Sequence, residues 1–214
     1  GYFEVEGPVT GPCRLLDYRL LDYGFDYYAP QSFEAEDGRR IQIGWMGMPD
    51  CPAHTNRTIG EGWQHCFTIP RELYVKDGIL LQRPVRELEE KRKLREERQD
   101  TLVSDDLPVY EVLAENIKEN RFRTVLGGEL ILEYREGRFE MRFTDASKES
   151  ASGGRTIRYQ EMSQLKNVTI LTDVSTCEVF VNDGAYVFST RFYPEKDSIG
   201  IEALVAEITL WELE

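Results

Sequence analysis

Apolar and polar residues alternate along much of the second half of the chain. The stretch "GELILEYREGRFEMRFTD", residues 128–145, places apolar side chains at every second position on either side of a Glu-Gly turn. Successive side chains of a strand point to opposite faces of its sheet, so this alternation predicts two antiparallel strands with one buried face each. The residues predicted to be buried are Leu130, Leu132, Tyr134, Phe139, Met141 and Phe143.

Similar strand patterns continue to the last residue. They occur in "VTILTDVSTCEVFVNDGAYVFSTRFYP", residues 168–194, which contains the turn Asn182-Asp183-Gly184, and in "SIGIEALVAEITLWELE", residues 198–214. Several short strands with turn signals between them and no helices indicate an antiparallel sandwich. We therefore predict a β-sandwich domain over residues 100–214.

The first 82 residues also consist of short β-prone runs. Asp37-Gly38 and Asp77-Gly78 are strong signals for two-residue hairpins, because glycine adopts positive φ at little steric cost. This region is predicted to form a second all-β unit over residues 1–82.

A dense run of charges, "RPVRELEEKRKLREERQ" at residues 83–99, separates the two units. Pro84 suits a first helical turn, and the pairs Glu87/Lys91 and Glu89/Lys93 have the spacing that supports a helix. The run is either a binding surface or a solvated helical linker between two domains, and the lack of an apolar face favours the linker.

The charge of the chain limits its partners. The 39 acidic and 26 basic side chains give a net charge of −13. Nucleic-acid binding depends on Lys and Arg that neutralise phosphates, so no nucleic-acid partner is expected. No apolar run approaches the roughly 20 residues of a membrane-spanning helix, so no membrane partner is expected either.

The cysteines and histidines point to neither a disulfide framework nor a metal site. The four cysteines match no CxxC pair, which predicts reduced thiols and a cytoplasmic protein. Two histidines are too few for a metal site built on imidazole, and no cofactor is predicted. The Ser/Gly-rich segment 146–155 predicts a mobile loop without a functional signal. The residues concerned are Cys13, Cys51, Cys66, Cys177, His54 and His65.

Five motifs in one order carry a family resemblance. They are "DYGFDYYAPQSF" (22–33), "GRRIQIGWMG" (38–47), "GWQHCFTIPREL" (62–73), "LQRPVREL" (81–88) and "DVSTCEVFVNDG" (173–184). The series resembles the C-terminal half of glycoside hydrolase family 32, the β-fructofuranosidases. The resemblance implies about one blade of a five-bladed β-propeller, joined by a short charged helix to the β-sandwich.

The resemblance also implies retaining hydrolysis, which needs a nucleophilic carboxylate and a carboxylic acid about 5 Å apart. Family members carry their catalytic carboxylates in Asn-Asp-Pro, Arg-Asp-Pro and Glu-Cys motifs, and none of these occurs in the sequence. No catalytic residue is therefore predicted, and the chain alone is expected to be inactive. Asp22 and Asp26 do not replace them, because four residues along a strand separate α-carbons by roughly 13 Å.

By the same resemblance, Asp26, Tyr28 and Trp45 form one wall of a fructose pocket. Asp26 and Tyr28 would lie at the rim, where Asp26 accepts hydrogen bonds, and Trp45 would offer an apolar face to the sugar. Alternation supports this, since Asp26 and Tyr28 point to one side of a strand. The residues alone leave other interpretations open: Asp26 as a turn cap, and Tyr28 and Trp45 as core.

Other residues are interpreted as structural. Trp63 belongs to this group, and Arg71 and Glu72 are expected to form an ion pair near the outer edge of the blade. Asp173, Ser175 and Glu178 resemble a catalytic constellation but have no histidine nearby to act as base, so they are assigned to a sandwich hairpin.

The substrate stays open between sucrose, sucrose 6-phosphate and a fructan. A 6-phosphate would require basic side chains near the pocket, and Arg39, Arg40 and Arg57 are weak candidates. The expected partner is a fructose-containing carbohydrate, with either a homodimer or a separate N-terminal catalytic chain. The alternative function is a non-catalytic carbohydrate-binding or association sandwich, for which Tyr186 and Tyr193 are the only aromatic candidates.

Overall fold

The computed structural model describes residues 1–49, 51–52, 55–147 and 152–214, apart from the side chain of Val205. Strands dominate the described residues, and they form three antiparallel sheets. The all-β prediction is confirmed.

Six strands precede the charged run. β1 and β2 pair as an isolated hairpin, whereas β3 to β6 form a four-stranded sheet in chain order, the arrangement of a propeller blade. The strands are β1 (Tyr2–Glu6), β2 (Arg14–Arg19), β3 (Tyr28–Glu34), β4 (Arg40–Trp45), β5 (Arg71–Lys76) and β6 (Ile79–Pro84). A short 3-10 helix, Arg57–Glu61, lies between β4 and β5.

The predicted hairpins are present. Asp77-Gly78 forms the predicted two-residue turn between β5 and β6, with Lys76 paired to Ile79. Asp37-Gly38 lies in a longer, five-residue connection between Glu34 of β3 and Arg40 of β4. Both hairpins were predictable because they depend on local turn chemistry.

The charged linker is helical over a shorter range than predicted. A 3-10 helix spans Arg86–Lys91, and the chain then continues as strand β7, Arg92–Asp105. β7 pairs with the last strand, β16 (Ser198–Leu213), over most of its length. The predicted helix over residues 92–99 is therefore wrong. Helical charge pairs contribute only a few tenths of a kcal/mol each, and the long ladder with β16 outweighs them.

The sandwich contains nine further strands beyond β7. Its hydrogen-bonded order is β12-β11-β10-β9-β16-β8-β13-β14-β15, and β7 adds to the other edge of β16. The strands are β8 (Tyr110–Glu115), β9 (Phe122–Leu126), β10 (Leu130–Arg135), β11 (Arg138–Phe143), β12 (Ile157–Glu161), β13 (Val168–Asp173), β14 (Thr176–Val181), β15 (Tyr186–Arg191) and β16.

The long strand β16 joins the two halves of this sheet. Its first half pairs with β9 and its second half with β8, with a register shift between Glu202 and Glu207. The halves face each other across one apolar core, where the rings of Phe139 on β11 and Phe188 on β15 lie 5.1 Å apart. The predicted sandwich is confirmed, and the six alternating residues of β10 and β11 are all buried.

No helix among the described residues has the length and apolar character required to cross a bilayer.

The domain boundaries at residues 82 and 99 stay predictions.

Candidate functional site

Two of the three predicted site residues lie together. Tyr28 begins β3 and pairs with Trp45 at the end of β4, and their rings meet edge to face with centroids 5.9 Å apart. Tyr28 is 47% exposed, and Trp45 is half-buried. We call this pair the aromatic wall; its role in sugar binding stays a prediction.

The backbone after Trp45 leaves room for the indole. A Cβ on Gly47 would lie 2.6 Å from the Trp45 ring, so a residue without a side chain allows the indole to lie against the chain. The ring orientation is therefore determined by the sequence immediately around it.

His65 extends the aromatic wall, a position that the sequence pattern did not indicate. Its ring lies 5.2 Å from that of Trp45 in an edge-to-face contact, and its φ of 69° is in the left-handed region. Phe67, which is 74% exposed, forms an isolated bridge to Trp45, and Trp63 nearby in sequence is 44% exposed. The signal in the sequence was the grouping of these aromatic residues in one motif, "GWQHCF".

Asp26 does not join the aromatic wall at an exposed rim. It has 0% exposure, and its side-chain hydrogen bonds to described residues run to the sandwich. Arg155 Nη1 and Arg191 Nη2 donate to Oδ1 at 2.9 and 3.1 Å, and the Arg191 backbone N–H donates to Oδ2 at 3.0 Å. The rim position predicted for Asp26 is therefore wrong, because the side chains of Arg155, Thr190 and Arg191 and the backbone N–H of Arg191 hold its carboxylate inside the molecule.

Electrostatics keep Asp26 ionised. Burial alone would raise the pKa of this carboxyl, but Arg155 and Arg191 outweigh burial and hold the pKa below its usual range. Two arginine side chains thus form ion pairs with one carboxylate.

A second buried cluster forms around Arg71, which has 0% exposure. Its Nε and Nη2 donate to Glu178 Oε2 at 3.0 and 2.6 Å, and its Nη1 donates to Asp22 Oδ2 at 3.1 Å. The expected surface pair with Glu72 is wrong, since Glu72 instead contacts Arg83 at 2.7 Å. Arg71 joins the blade to β14 of the sandwich.

The pKa values of the two carboxyls around Arg71 shift in the opposite direction from that of Asp26. Burial raises the pKa of both Asp22 and Glu178, and the attraction of one shared guanidinium does not cancel this effect. In this cluster two carboxylates form ion pairs with one guanidinium. Glu178 also accepts the Ile69 N–H at 2.7 Å, which supports a structural role for "DVSTCEVFVNDG".

Segment 22–26 lies directly against β15. Tyr23 N–H donates to Val187 O at 2.7 Å, and Asp26 N–H donates to Ser189 O at 3.0 Å. The approach is so close that a Cβ on Gly24 would lie 2.1 Å from the carbonyl oxygen of Ser189. The segment thereby covers an edge strand that would otherwise present unpaired backbone groups.

The candidates for binding a phosphate lie elsewhere. Arg39 is bound to Asp37 and Glu87, and Arg57 lies 3.3 Å from Glu129. Arg40 has Glu34 as its nearest anionic partner, at 3.6 Å. Among the residues that the structure describes, no contact joins these three arginines to the aromatic wall.

Metal-ligating side chains are dispersed over the part of the chain that the structure describes. Within that part, no group of three or more His, Cys, Asp or Glu residues is arranged to hold a metal ion. His54 lies outside the described residues, and all four cysteines are free thiols.

Comparison with protein families agrees with the two-part architecture. Residues 6–84 match the model for the glycosyl hydrolases family 32 N-terminal domain, and residues 109–212 match the family 32 C-terminal model. The chain belongs to glycosyl hydrolase family 32. The two matches are separated by residues 85–108, which contain the 3-10 helix and all of β7.

Curated relatives of this family-32 chain are about one-third identical to it. A raffinose invertase of Escherichia coli is 34% identical over 215 residues, covering 92% of this chain and 44% of the relative. A sucrose-6-phosphate hydrolase of Staphylococcus xylosus is 34% identical over 206 residues, covering 87% and 40%. The chain thus spans about two-fifths of the length of these relatives.

Solved family-32 structures share the fold. A sucrose-6-phosphate hydrolase from Lactobacillus gasseri superposes with a TM-score of 0.77 at 25% identity, covering 91% of this chain and 42% of that one. A β-fructofuranosidase from Bombyx mori gives a TM-score of 0.75 at 19% identity, covering 94% and 44%.

Proposed function

We propose that this chain is the C-terminal part of a retaining β-fructofuranosidase and supplies one wall of its fructose pocket. The observation that carries the proposal is the contact between exposed Tyr28 and half-buried Trp45 at one end of the blade. Flat aromatic faces suit the apolar faces of sugar rings. The family membership and the partial coverage of the relatives support the same assignment.

The aromatic wall contributes binding but no acid or base. Retaining hydrolysis requires an accessible nucleophile and an acid about 5 Å apart. Asp22 and Asp26, the carboxylates of the segment that leads into β3, are both buried and ion-paired. We therefore propose that the chain alone does not hydrolyse sucrose, sucrose 6-phosphate or fructans.

A separate N-terminal catalytic chain is the partner that we favour. The hairpin β1–β2 is largely exposed, and an isolated two-stranded hairpin is marginally stable in water. Phe3, Leu15 and Tyr18 on this hairpin are all exposed apolar side chains. Strands of a separate N-terminal catalytic chain would cover these side chains. The alternative is that a second copy of this chain covers them in a homodimer. Light scattering of the 214-residue chain, with and without the N-terminal chain, distinguishes the heterodimer from the homodimer.

The test measures sugar binding and turnover on the 214-residue chain. We expect weak fructose binding by calorimetry, no release of glucose from sucrose, and loss of the binding in Trp45→Ala. The matched control is Tyr159→Ala, which removes an aromatic side chain that is 51% exposed on the sandwich. Measurable turnover by the chain alone would contradict the proposed inactivity.

Sugar titrations of variants also test the alternative function, a non-catalytic carbohydrate-binding sandwich. Wild-type binding in Trp45→Ala together with loss of binding in Tyr186→Ala or Tyr193→Ala would favour a non-catalytic carbohydrate-binding sandwich. Tyr186 and Tyr193 are poor platforms for such a module, because each packs against the core. The cytoplasmic location and the absence of a cofactor remain parts of the proposal, resting on the sequence.

A further inference from the structure

The start of β3 lacks a regular ladder to hold it. Tyr28 pairs with Trp45, but the register to β4 shifts before Gln31, and Ala29 has a φ of 46°. Positive φ at a residue other than glycine is strained and requires support from its surroundings. The aromatic wall therefore stands on an irregular piece of backbone.

The nearest rigid support precedes Tyr28 by two residues. The carboxylate of Asp26 is fully buried, and both its oxygens accept hydrogen bonds from Arg155 or Arg191. Arg155 Nη1 also donates to the backbone carbonyl of Phe25 at 3.0 Å. Side chain and backbone are thus both held by the sandwich immediately before the aromatic wall.

We propose that Arg155 and Arg191 of the sandwich are positioning residues for the aromatic wall and act through Asp26. The sandwich is then more than a support, since it determines where Tyr28 meets Trp45. The expected effect of these arginines on sugar binding rests on the proposed function. Their expected effect on the geometry of the aromatic wall is independent of that function.

Charge-assisted hydrogen bonds provide the necessary stiffness. They are shorter and stronger than neutral ones, and an Asp carboxylate has only two rotatable bonds to its backbone. Within the described residues, Nε and Nη1 of Arg191 are buried and have no hydrogen-bond partner, so Asp26 is the only carboxylate that this guanidinium binds there. Loss of the Arg191 guanidinium therefore removes one charge-assisted contact from the anchor and leaves Asp26 to Arg155 and its neutral donors.

The experiment is ¹⁹F NMR of the chain labelled with 5-fluorotryptophan. The chain has three tryptophans, whose resonances are assigned by replacing each with Phe. We expect Asp26→Asn and Arg191→Gln to move or split the Trp45 resonance by more than its linewidth. The Trp211 resonance on β16 should keep its position.

A control variant separates positioning from general loosening. Arg92 forms a bidentate pair with the buried Glu111 and lies over the Trp211 ring, far along the chain from the aromatic wall. Arg92→Gln should therefore move the Trp211 resonance and leave that of Trp45 unchanged. A shift of Trp45 in this control equal to that in Arg191→Gln would overturn the proposal.

Milder variants keep the test decisive if Arg191→Gln fails to fold. Arg155 is partly exposed, so Arg155→Gln should fold and shift the Trp45 resonance by itself. Arg191→Lys retains the charge and should restore part of the wild-type spectrum. A wild-type Trp45 resonance in both Asp26→Asn and Arg155→Gln would refute the positioning role.

A fructose titration of the same samples tests the linked function. We expect the dissociation constant to rise about tenfold in Arg155→Gln and to stay unchanged in Arg92→Gln. If the Trp45 resonance shifts but even the wild-type chain binds no fructose, the positioning role stands and the proposed function fails.

Discussion

Removal of Arg71 tests the buried cluster that joins the blade to the sandwich. Arg71→Met leaves Asp22 and Glu178 buried without their cation, while the new side chain can pack against Tyr27 and Phe180, whose rings lie 4.8 and 5.5 Å from the guanidinium. Breaking a buried pair by deleting one partner costs about 3–5 kcal/mol. Total stabilities are about 5–15 kcal/mol, so the loss is a large fraction.

Urea unfolding gives the size of the effect. With a slope of about 2 kcal/mol/M, the midpoint should fall by about 1.5–2.5 M. Tryptophan fluorescence and far-UV circular dichroism should be followed together, because separate transitions would show that the blade unfolds from the sandwich first. If the Arg71 cluster holds the blade and the sandwich together, we expect the fluorescence and circular-dichroism transitions of Arg71→Met to occur at different urea concentrations.

The pH dependence provides a second and independent signature. Burial already raises the pKa of Asp22 and Glu178, and the loss of Arg71 removes the charge that opposes this shift. A carboxyl with a raised folded-state pKa loses stabilisation as pH rises from its unfolded pKa to its folded pKa. The deficit of Arg71→Met should therefore be larger at pH 8 than at pH 5.

The matched control removes all three charges. Asn at position 22 and Gln at position 178 keep an oxygen for the backbone N–H donors, so Arg71→Met combined with Asp22→Asn and Glu178→Gln should recover most of the loss. A deficit of Arg71→Met below about 1 kcal/mol would refute the reasoning. So would a deficit that is the same at pH 5 and pH 8.

Two further predictions concern the contact between segment 22–26 and β15. Asp26 has a lowered pKa, so its stabilisation is present above its unfolded pKa of 3.8 and disappears as pH falls through the lower folded value. Asp26→Asn should lower the calorimetric Tm by about 6–20 °C at pH 7, a difference that shrinks below pH 3.8; a constant difference would contradict this. Gly24→Ala should cost about 1–3 kcal/mol in urea unfolding, because its Cβ meets the β15 backbone. Gly200→Ala, with no heavy atom within 4 Å of the new Cβ, should be neutral or stabilising, and equal effects of the two would contradict the close contact.

Sequence reasoning succeeded where the determining interactions are local. The Asp-Gly hairpins and the alternation in β10 and β11 depend on neighbours a few residues away. The pair Tyr28 and Trp45 was also within reach, because the two residues meet across one hairpin. The family resemblance identified them, and the geometry of the hairpin brings them together.

It failed where the partner is distant in the chain. β7 carries helical charge spacing, yet its partner β16 begins almost a hundred residues later. The resemblance implied a rim position for Asp26, and the sequence did not reveal its true partners because Arg155 and Arg191 lie 129 and 165 residues away. Arg155 itself falls in a segment for which the sequence predicts only a mobile loop. The loop prediction at 146–155 falls partly outside the described residues, but Arg155 lies within them.

The two buried clusters restrain segment 22–26 more strongly than either would alone. Around Arg71 two carboxylates surround one cation, whereas around Asp26 two cations surround one carboxylate. Because Asp22 and Asp26 are the two ends of one short segment, displacement of the segment disturbs both clusters together. The position of the aromatic wall that follows is therefore coupled to the sandwich, through side chains that strand patterning in the blade alone does not identify.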